Sequence, residues 1–506
     1  MKRGELPKSL FLPVGRSAGV ERLPETRGEG YFKSIFSAFL RHRSVRISLF
    51  IIVAIALFSL LAPLFISRSE RLMDPYYAKL PPRLEGALGS LGVFDGGVER
   101  RLGERGLLRL AGIAIATSPG GDEASLGEAI EAPTSPIISL GEPEGRVRRA
   151  RVDGYLEVGF IYKTVTPDEY EAMLLWQEAL GVQLLYPLIA QNAYTGDEND
   201  PNIWFKVGRG GMPLDETGDE IEEIGSDTHL YENYLRDERG EPVYAIPSGG
   251  GSGEARGVRV RLLYHSYYRF KNGASPSYLL GTDSQGYDLA LRVAGGIRVS
   301  LLLAISVSLI NLLIGAAVGS VEGYFGGAVD LTIERVTDVL SGVPFIVVAT
   351  LFQIYLADRV GAIPSLLFAF VLTGWLSTAS RVRAQFYRFK NSEYVLAAKT
   401  MGVSNARIIL RHILPNTLGT LITSSALVIP GVIFTESMLS FLGIVNLGSE
   451  GITSLGTLLS DAATIWSGYP HLMLVPASVI SLLMIAFNMI GNGLRDAQEP
   501  GSAGGA

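Results

Sequence analysis

Residues 393–416 read EYVLAAKTMGVSNARIILRHILPN, a basic stretch wedged between two long apolar segments. Ser392 is placed to N-cap a first helix, with Glu393 in the first turn, where the helix dipole favours a carboxylate. Ala397 and Ala398 give that helix a small-residue face. Gly402 falls just past the helix end, where the backbone needs φ > 0 and a side chain is penalised. Val403 leads to Ser404, which is placed to cap a second helix over 405–412. Leu414-Pro415 is expected to end it, because proline lacks the N–H that would continue the ladder. The spacing predicts a helix–turn–helix, and its charge sets it outside any hydrocarbon layer.

The apolar segments on either side have counterparts along the chain. Of 506 residues 47% are hydrophobic, and mean hydropathy is +0.27, more apolar than a soluble protein of this length. Stretches free of Asp, Glu, Lys and Arg occupy 47–66, 299–321, 339–357, 360–380 and 413–435, with a sixth within 462–494. Each is about the 20 residues that a helix needs to cross ~30 Å of hydrocarbon. Only Asp358-Arg359 separates the third from the fourth, so a tight turn at a membrane surface is expected there. The first stretch is long for a signal peptide and lacks a small-x-small cleavage pattern, so it reads as an uncleaved anchor.

Basic residues set the orientation. Residues 1–46 hold ten Lys/Arg against four acids and 380–416 hold seven against one, so both belong in the cytoplasm. Residues 67–298 hold 24 against 35 acids and belong outside. The loop 322–341 departs from this pattern, with four acids and only Arg335. The organisation expected is a cytoplasmic tail 1–46, an anchor 47–66, an extracytoplasmic insertion 67–278, a transmembrane core 279–500 with the hairpin 392–416, and a flexible tail 501–506. Both termini are then cytoplasmic. Within the insertion, 155–165 and 258–268 read as β-like runs and 167–180 as a helix capped by Thr166. Residues 248–253, SGGGSG, read as a flexible loop.

Gly315, Gly319, Gly323 and Gly327 recur every fourth residue, a face that permits close helix packing. Glu436 is a lone carboxylate at the end of the fifth apolar stretch. It reads as a solvated interface residue in preference to one facing a pathway. Asp330, Glu334, Arg335 and Asp338 stand at spacings suited to local salt bridges. No cysteine is present and the five histidines are scattered, so no metal or cofactor site and no disulfide is expected. No Gly-Lys dipeptide occurs, hence no Walker A loop to hold phosphates. No catalytic residues are expected, and nothing in the composition points to nucleic acid.

The 393–416 segment resembles the cytoplasmic EAA loop of ABC importer permeases, matching it at Ala397, Ala398, Gly402, Leu414 and Pro415. Leu396 stands where the family often has Glu, and His412 where it often has Ile. Four further segments resemble the oligopeptide, dipeptide and nickel permeases in order: LGTDSQGYD at 280–288, with Tyr287 in place of Arg; GYFGGAVDLTIERVTD at 323–338; ESMLSFLG at 436–443; and NGLRDAQEP at 492–500. The likeness is to the second of the two paired permease subunits. It implies an all-α polytopic membrane protein with six transmembrane helices of the type I ABC importer kind, in the cytoplasmic (inner) membrane, here with a large α+β insertion between helices 1 and 2. It further implies a heterodimer with a second permease subunit, two ABC ATPase subunits carrying ATP and Mg, and an extracytoplasmic solute-binding protein. Residues 397–415 would then couple ATP hydrolysis to alternating access, with no chemistry in this chain. The competing reading is a self-contained secondary transporter or channel, which would show inverted repeats that are not seen. An intramembrane hydrolase would need a Ser/His pair, for which His471 alone is poor support.

Overall fold

The computed structural model describes residues 39–66, 72–84, 94–144, 147–248, 257–445, 447–448 and 451–498. Most of the tail expected at 1–46, the Gly/Ser run after Ser248 and the tail 501–506 lie outside the described residues. Helix α1 (Arg43–Phe65) is followed by α2 (Glu104–Thr117), α3 (Leu126–Glu131), α4 (Pro167–Leu180) and α5 (Tyr264–Asn272). Next come α6 (Leu289–Phe325), α7 (Gly327–Ser341), α8 (Phe345–Val360), α9 (Ala362–Phe389), α10 (Glu393–Thr400) and α11 (Asn405–Arg407). A π-helical turn, Ile408–Ile413, joins α11 to α12 (Leu414–Ala426), α13 (Val428–Phe441), α14 (Leu455–Ala462) and α15 (Pro470–Gln498).

Among the described residues five helical runs are long and apolar enough to cross a membrane: α1, α6, α9, Asn405–Phe441 and α15. The third apolar stretch is not one straight helix, because α7 and α8 meet at 75°. Pro344 explains the break, since it has no N–H to donate and disfavours helix at Val343 before it. Counting this bent pair as one span gives six. Asp358-Arg359 ends α8 as expected, and Gly361 at φ 94° turns the chain into α9. Helix α6 is longer than its apolar part. Its 37 residues reach roughly 55 Å at 1.5 Å each, so it overshoots a hydrocarbon layer. The shared core of these helices is built from Val293, Ile297, Val307, Leu366, Ile433, Leu439 and Leu483.

Between α1 and α6 the chain folds into two small antiparallel sheets with their own cores. Strands β1 (Gly97–Gly103), β2 (Ile137–Glu144) and β3 (Val147–Asp153) form one sheet in the order β1-β3-β2. Its inner face, with Ala150 and Val152, packs on the apolar face of α2 around Trp204. Strands β4 (Phe160–Val165), β5 (Leu185–Tyr186), β6 (Ala245–Ser248) and β7 (Gly257–Leu263) form the other, with β7 central. The β-like runs at 155–165 and 258–268 therefore pair with each other, from Phe160 opposite Leu263 to Val165 opposite Val258. Both runs are shorter than expected: the first is strand only from Phe160, after a turn, and Tyr264 onward is helical in α5. Thr166 caps α4 by accepting from the Glu169 N–H. Arg261 is fully buried, donating to the carbonyls of Pro201 and Pro187, with its guanidinium 4.1 Å from the Phe160 ring centre.

The LGTDSQGYD segment clasps this unit to the helices. Thr282 donates its N–H to Leu80 O at 3.0 Å, while its hydroxyl accepts from Leu80 N–H at 2.8 Å. Lys79 N–H donates to Asp283 O and Asp74 N–H to Gly286 O. Gly286, at φ 93°, lies so close to the returning chain that a Cβ would stand 1.9 Å from Asp74 O. Asp283 pairs with Arg292 at 3.2 Å, and Asp288 caps α6. Tyr287, which replaces the family's Arg, lies 5.0 Å from the Arg292 guanidinium. The insertion thus meets α6 at its start, and the 393–416 hairpin meets α6 at its far end.

Candidate functional site

The hairpin begins where α9 runs out. Ser392 has the extended backbone of an N-cap, but its hydroxyl donates to Phe389 O at 2.6 Å and caps nothing. Ser404 likewise stands at an N-cap position without a side-chain cap. The turn between them is a Schellman motif: Val403 N–H donates to Ala398 O at 3.1 Å and Gly402 N–H to Lys399 O at 3.0 Å. Gly402 sits at φ 74° with open space where a Cβ would lie. Ala397 and Ala398 do not share a face. Ala398 is buried with Val395, Ile408, Ile409 and Ile413 against Tyr324, Val382 and Phe386, and Ala397 is exposed.

Pro415 does not end the second helix. It sits in the first turn of α12, and the helix passes from α11 through the π turn into the span. Proline removes one N–H from the ladder, and the widened turn lets the chain continue past it. Leu414 is half-buried beside the hairpin core, and Val403 packs there too. On the outer side Leu396, Met401 and Leu410 are exposed, Met401 by 76%. Tyr324 at the end of α6 donates to Asn405 Oδ1 at 2.8 Å, and Lys399 lies over its ring.

Beside the hairpin, Arg383 of α9 gathers three carboxylates. Its Nε lies 3.4 Å from Glu322 and 2.6 Å from Asp330, and Nη1 is 3.1 Å from Glu334. Tyr387 donates to Asp330 at 2.6 Å, and Lys390 donates to Gly323 O at 3.1 Å. The local bridges expected within 330–338 reduce to one exposed pair, Arg335–Asp338, because Asp330 and Glu334 turn to α9 instead. The acidic excess of the 322–341 loop is thereby balanced by a cation on a later helix, 53 residues beyond Asp330 and 49 beyond Glu334. That excess was the one sequence signal for Arg383.

The glycine stripe lets α6 and α9 touch. A Cβ on Gly315 would meet Thr378 at 2.6 Å, one on Gly319 would meet Ala379 O at 2.3 Å, and one on Gly323 would meet Phe386 at 2.6 Å. Gly327 is not part of this face: it opens α7 at φ 57° with nothing near it. Glu436 is not solvated. It is 1% exposed and accepts hydrogen bonds from Ser454 at 2.6 Å, Ser300 and Ser440 at 3.1 Å and Ser437 at 3.4 Å. Ser437 and Ser440 lie beside it on α13, whereas Ser300 of α6 and Ser454 at the cap of α14 are brought in by the packing, so the sequence announces only half of the site. Among the described residues no group of three or more His, Asp or Glu side chains is placed to hold a metal ion.

Residues 311–503 match the family model described as binding-protein-dependent transport system inner membrane component. Residues 30–82 match the N-terminal TM domain of oligopeptide transport permease C. The dipeptide transport system permease protein DppC of Bacillus subtilis is 41% identical over 228 residues, 45% of this chain and 69% of that one. The oligopeptide transport system permease protein OppC of the same organism is 37% identical over 227 residues, 45% of this chain and 72% of that one. OppC of Escherichia coli K12 is 39% identical over 224 residues, 44% of this chain and 72% of that one. A solved structure of the MetNI methionine ABC transporter, inward facing, overlaps 41% of this chain and 97% of its own at 14% identity and a TM-score of 0.35, too low for helix-by-helix comparison. With more than two thirds of these Bacillus permeases covered at 37–41% identity, the chain belongs to the family of binding-protein-dependent transport system inner membrane components, the permease components of ABC importers.

Proposed function

We propose that this chain carries short peptides across the inner membrane as one half of a permease heterodimer, driven by two ATPase subunits that dock on the 393–416 hairpin. Relatives named as dipeptide and oligopeptide permeases support the solute class. ATP and Mg are bound by the partner ATPases, and a solute-binding protein delivers the peptide from outside. The observation that carries the docking reading is the exposed apolar tip of the hairpin, Leu396, Met401 and Leu410, rimmed by Lys399, Arg407 and Arg411. Apolar side chains beside cations have no place in lipid or in water, and such patches mark protein contacts.

The tip is tied to the helices that would move. Its inner face packs on α6 and α9, and Arg383 holds α9 to α6 and α7. A push on the hairpin is transmitted as a rigid-body tilt of these helices, opening one side as the other closes. The bent α7–α8 pair serves as the sixth span, both termini are cytoplasmic, and residues 67–278 stand outside. Glu436 acts as a hub between α6, α13 and α14 and not as a solvated surface group. Because the chain has no cysteine, Met401→Cys is a clean probe. Labelled with a maleimide–benzophenone, it should crosslink to the partner ATPase on illumination, by C–H insertion that needs no partner thiol, whereas Ser248→Cys should react with an impermeant maleimide from outside and, carrying the same photoprobe, crosslink to no ATPase. Absence of the Met401 crosslink in a complex that hydrolyses ATP would overturn the docking reading.

A further inference from the structure

A cleft of about 670 Å³ opens where the β1-β3-β2 sheet meets the turn entering α15. Arg100, Arg101, Arg149 and Arg151 line the sheet side, and Tyr469 and His471 the helix side. Among its described lining residues Glu99 is the only carboxylate. Arg151 is matched by Asp95 at 2.7 Å and Arg100 by Glu157 at 3.1 Å, both outside the lining. Among the described residues Arg149 pairs only with the exposed Glu144, at 3.0 Å. Arg101 stands directly across the strand pair from Arg149 and has no carboxylate partner among the described residues. Like charges in directly opposed positions destabilise a sheet, so the fold itself gains nothing from this pair.

The wall also holds unused hydrogen-bonding atoms. Arg100 Nε and His471 Nε2 are buried with no hydrogen-bond partner among the described residues, although unsatisfied buried polar groups are rare and call for an explanation. Tyr469 is fixed in place, accepting from Arg100 Nη1 at 3.0 Å and flanked by the ammonium of Lys79 at 5.5 Å from its ring. Lys79 is the one described non-glycine residue at positive φ, 63°, so strain is held at this junction. The volume lies within the few hundred to one thousand Å³ of small-molecule sites.

We propose that this cleft binds the carboxylate of a small solute, the free C-terminus of a short peptide being the ligand class. Arg101 and Arg149 take the carboxylate, since two guanidiniums offer paired N–H donors to its oxygens. Tyr469 lies against the peptide chain. The peptide identity rests on the importer reading above; the carboxylate chemistry rests on the cleft.

The test uses the full chain in nanodiscs of zwitterionic lipid, with trialanine and its C-terminal amide as probes and calorimetry as the readout. Trialanine should bind saturably, and the amide at least tenfold more weakly. Arg101→Gln should weaken trialanine at least tenfold, and Arg101→Lys by less, with no fall in thermal stability, because Arg101 has no carboxylate partner among the described residues. Equal binding of acid and amide, no saturable binding, or an unchanged Arg101→Gln affinity would overturn the proposal. So would binding of short-chain phosphatidylglycerol with no binding of trialanine, which would assign the cleft to a lipid headgroup. Uptake by the assembled complex is measured separately. Uptake without peptide binding here removes only this inference, and binding without ATP-driven uptake removes only the importer reading.

Discussion

Replacing Arg383 by Gln tests how firmly α6, α7 and α9 move as one body. The Arg383 side chain is 24% exposed, and those of Glu322 and Asp330 are 4% and 11% exposed. Without the guanidinium these carboxylates face each other with Glu334, and only the ammonium of Lys390, which sits over the Tyr387 ring, still acts on Asp330 among the described residues. Breaking a buried pair by removing one partner costs about 3–5 kcal/mol. Glu334 is 40% exposed, so water can relieve part of the loss, and the lower end, about 3 kcal/mol, applies. That corresponds to roughly 150-fold in an equilibrium constant. Adding Glu322→Gln removes the most deeply buried of the three charges and should restore about half of the loss. The assay is a denaturant titration of the chain in lipid nanodiscs, run beside ATP-driven uptake by the complex. Stability of Arg383→Gln within about 0.5 kcal/mol of wild type, with no rescue by the second change, would refute the reasoning.

Three other outcomes follow from the same structure. Gly319→Ala should push α9 away from α6, because its Cβ would lie 2.3 Å from Ala379 O, and should destabilise by about 1–3 kcal/mol; Gly431→Ala, with nothing within 4 Å, should be harmless in the same titration. Glu436→Leu leaves buried hydroxyls unpaired and should cost on the order of 2 kcal/mol, whereas Glu436→Gln keeps an acceptor and should cost less, as read by thermal unfolding. His265 in α5 is lowered from 6.5 to about 4 by burial, with Arg83 and Arg269 adding to the shift, so the unfolded chain binds its proton first. Stability of the insertion should fall as pH drops from 6.5 towards 4, by about 3 kcal/mol in full, and His265→Phe should flatten this slope in pH-resolved hydrogen exchange.

Helix positions were legible where composition alone decides them. Long uncharged runs favour helix in an apolar layer: 299–321 falls inside α6, while 47–66 runs past α1 (Arg43–Phe65) and 360–380 begins just before α9 (Ala362–Phe389). The Gly402 turn was legible because only one residue type suits φ 74° in a Schellman motif. What could not be read were pairings between distant segments. Asp330 and Glu334 chose Arg383 over Arg335 because α9 lies against α7, a fact of packing and not of spacing. Glu436 looked like an interface residue because two of its four hydroxyl partners, Ser300 and Ser454, arrive from other elements, and the neighbouring Ser437 and Ser440 do not by themselves signal burial. The π turn before Pro415 was likewise hidden: proline in sequence says only that a hydrogen bond is lost, not whether the helix stops or widens around it.

The central claim is that the hairpin transmits ATP hydrolysis to this permease. It is tested most directly by peptide uptake into proteoliposomes holding the whole complex, wild type beside Gly402→Trp. The positive φ costs a side chain about 1 kcal/mol, and the space around Gly402 is open, so the variant should fold and assemble. Its indole would project from the tip proposed above as the ATPase docking site. The account predicts uptake by wild type that requires ATP and binding protein, and none by Gly402→Trp although its helices insert normally. Wild-type uptake by Gly402→Trp, or uptake by this chain with no ATPase present, would contradict it.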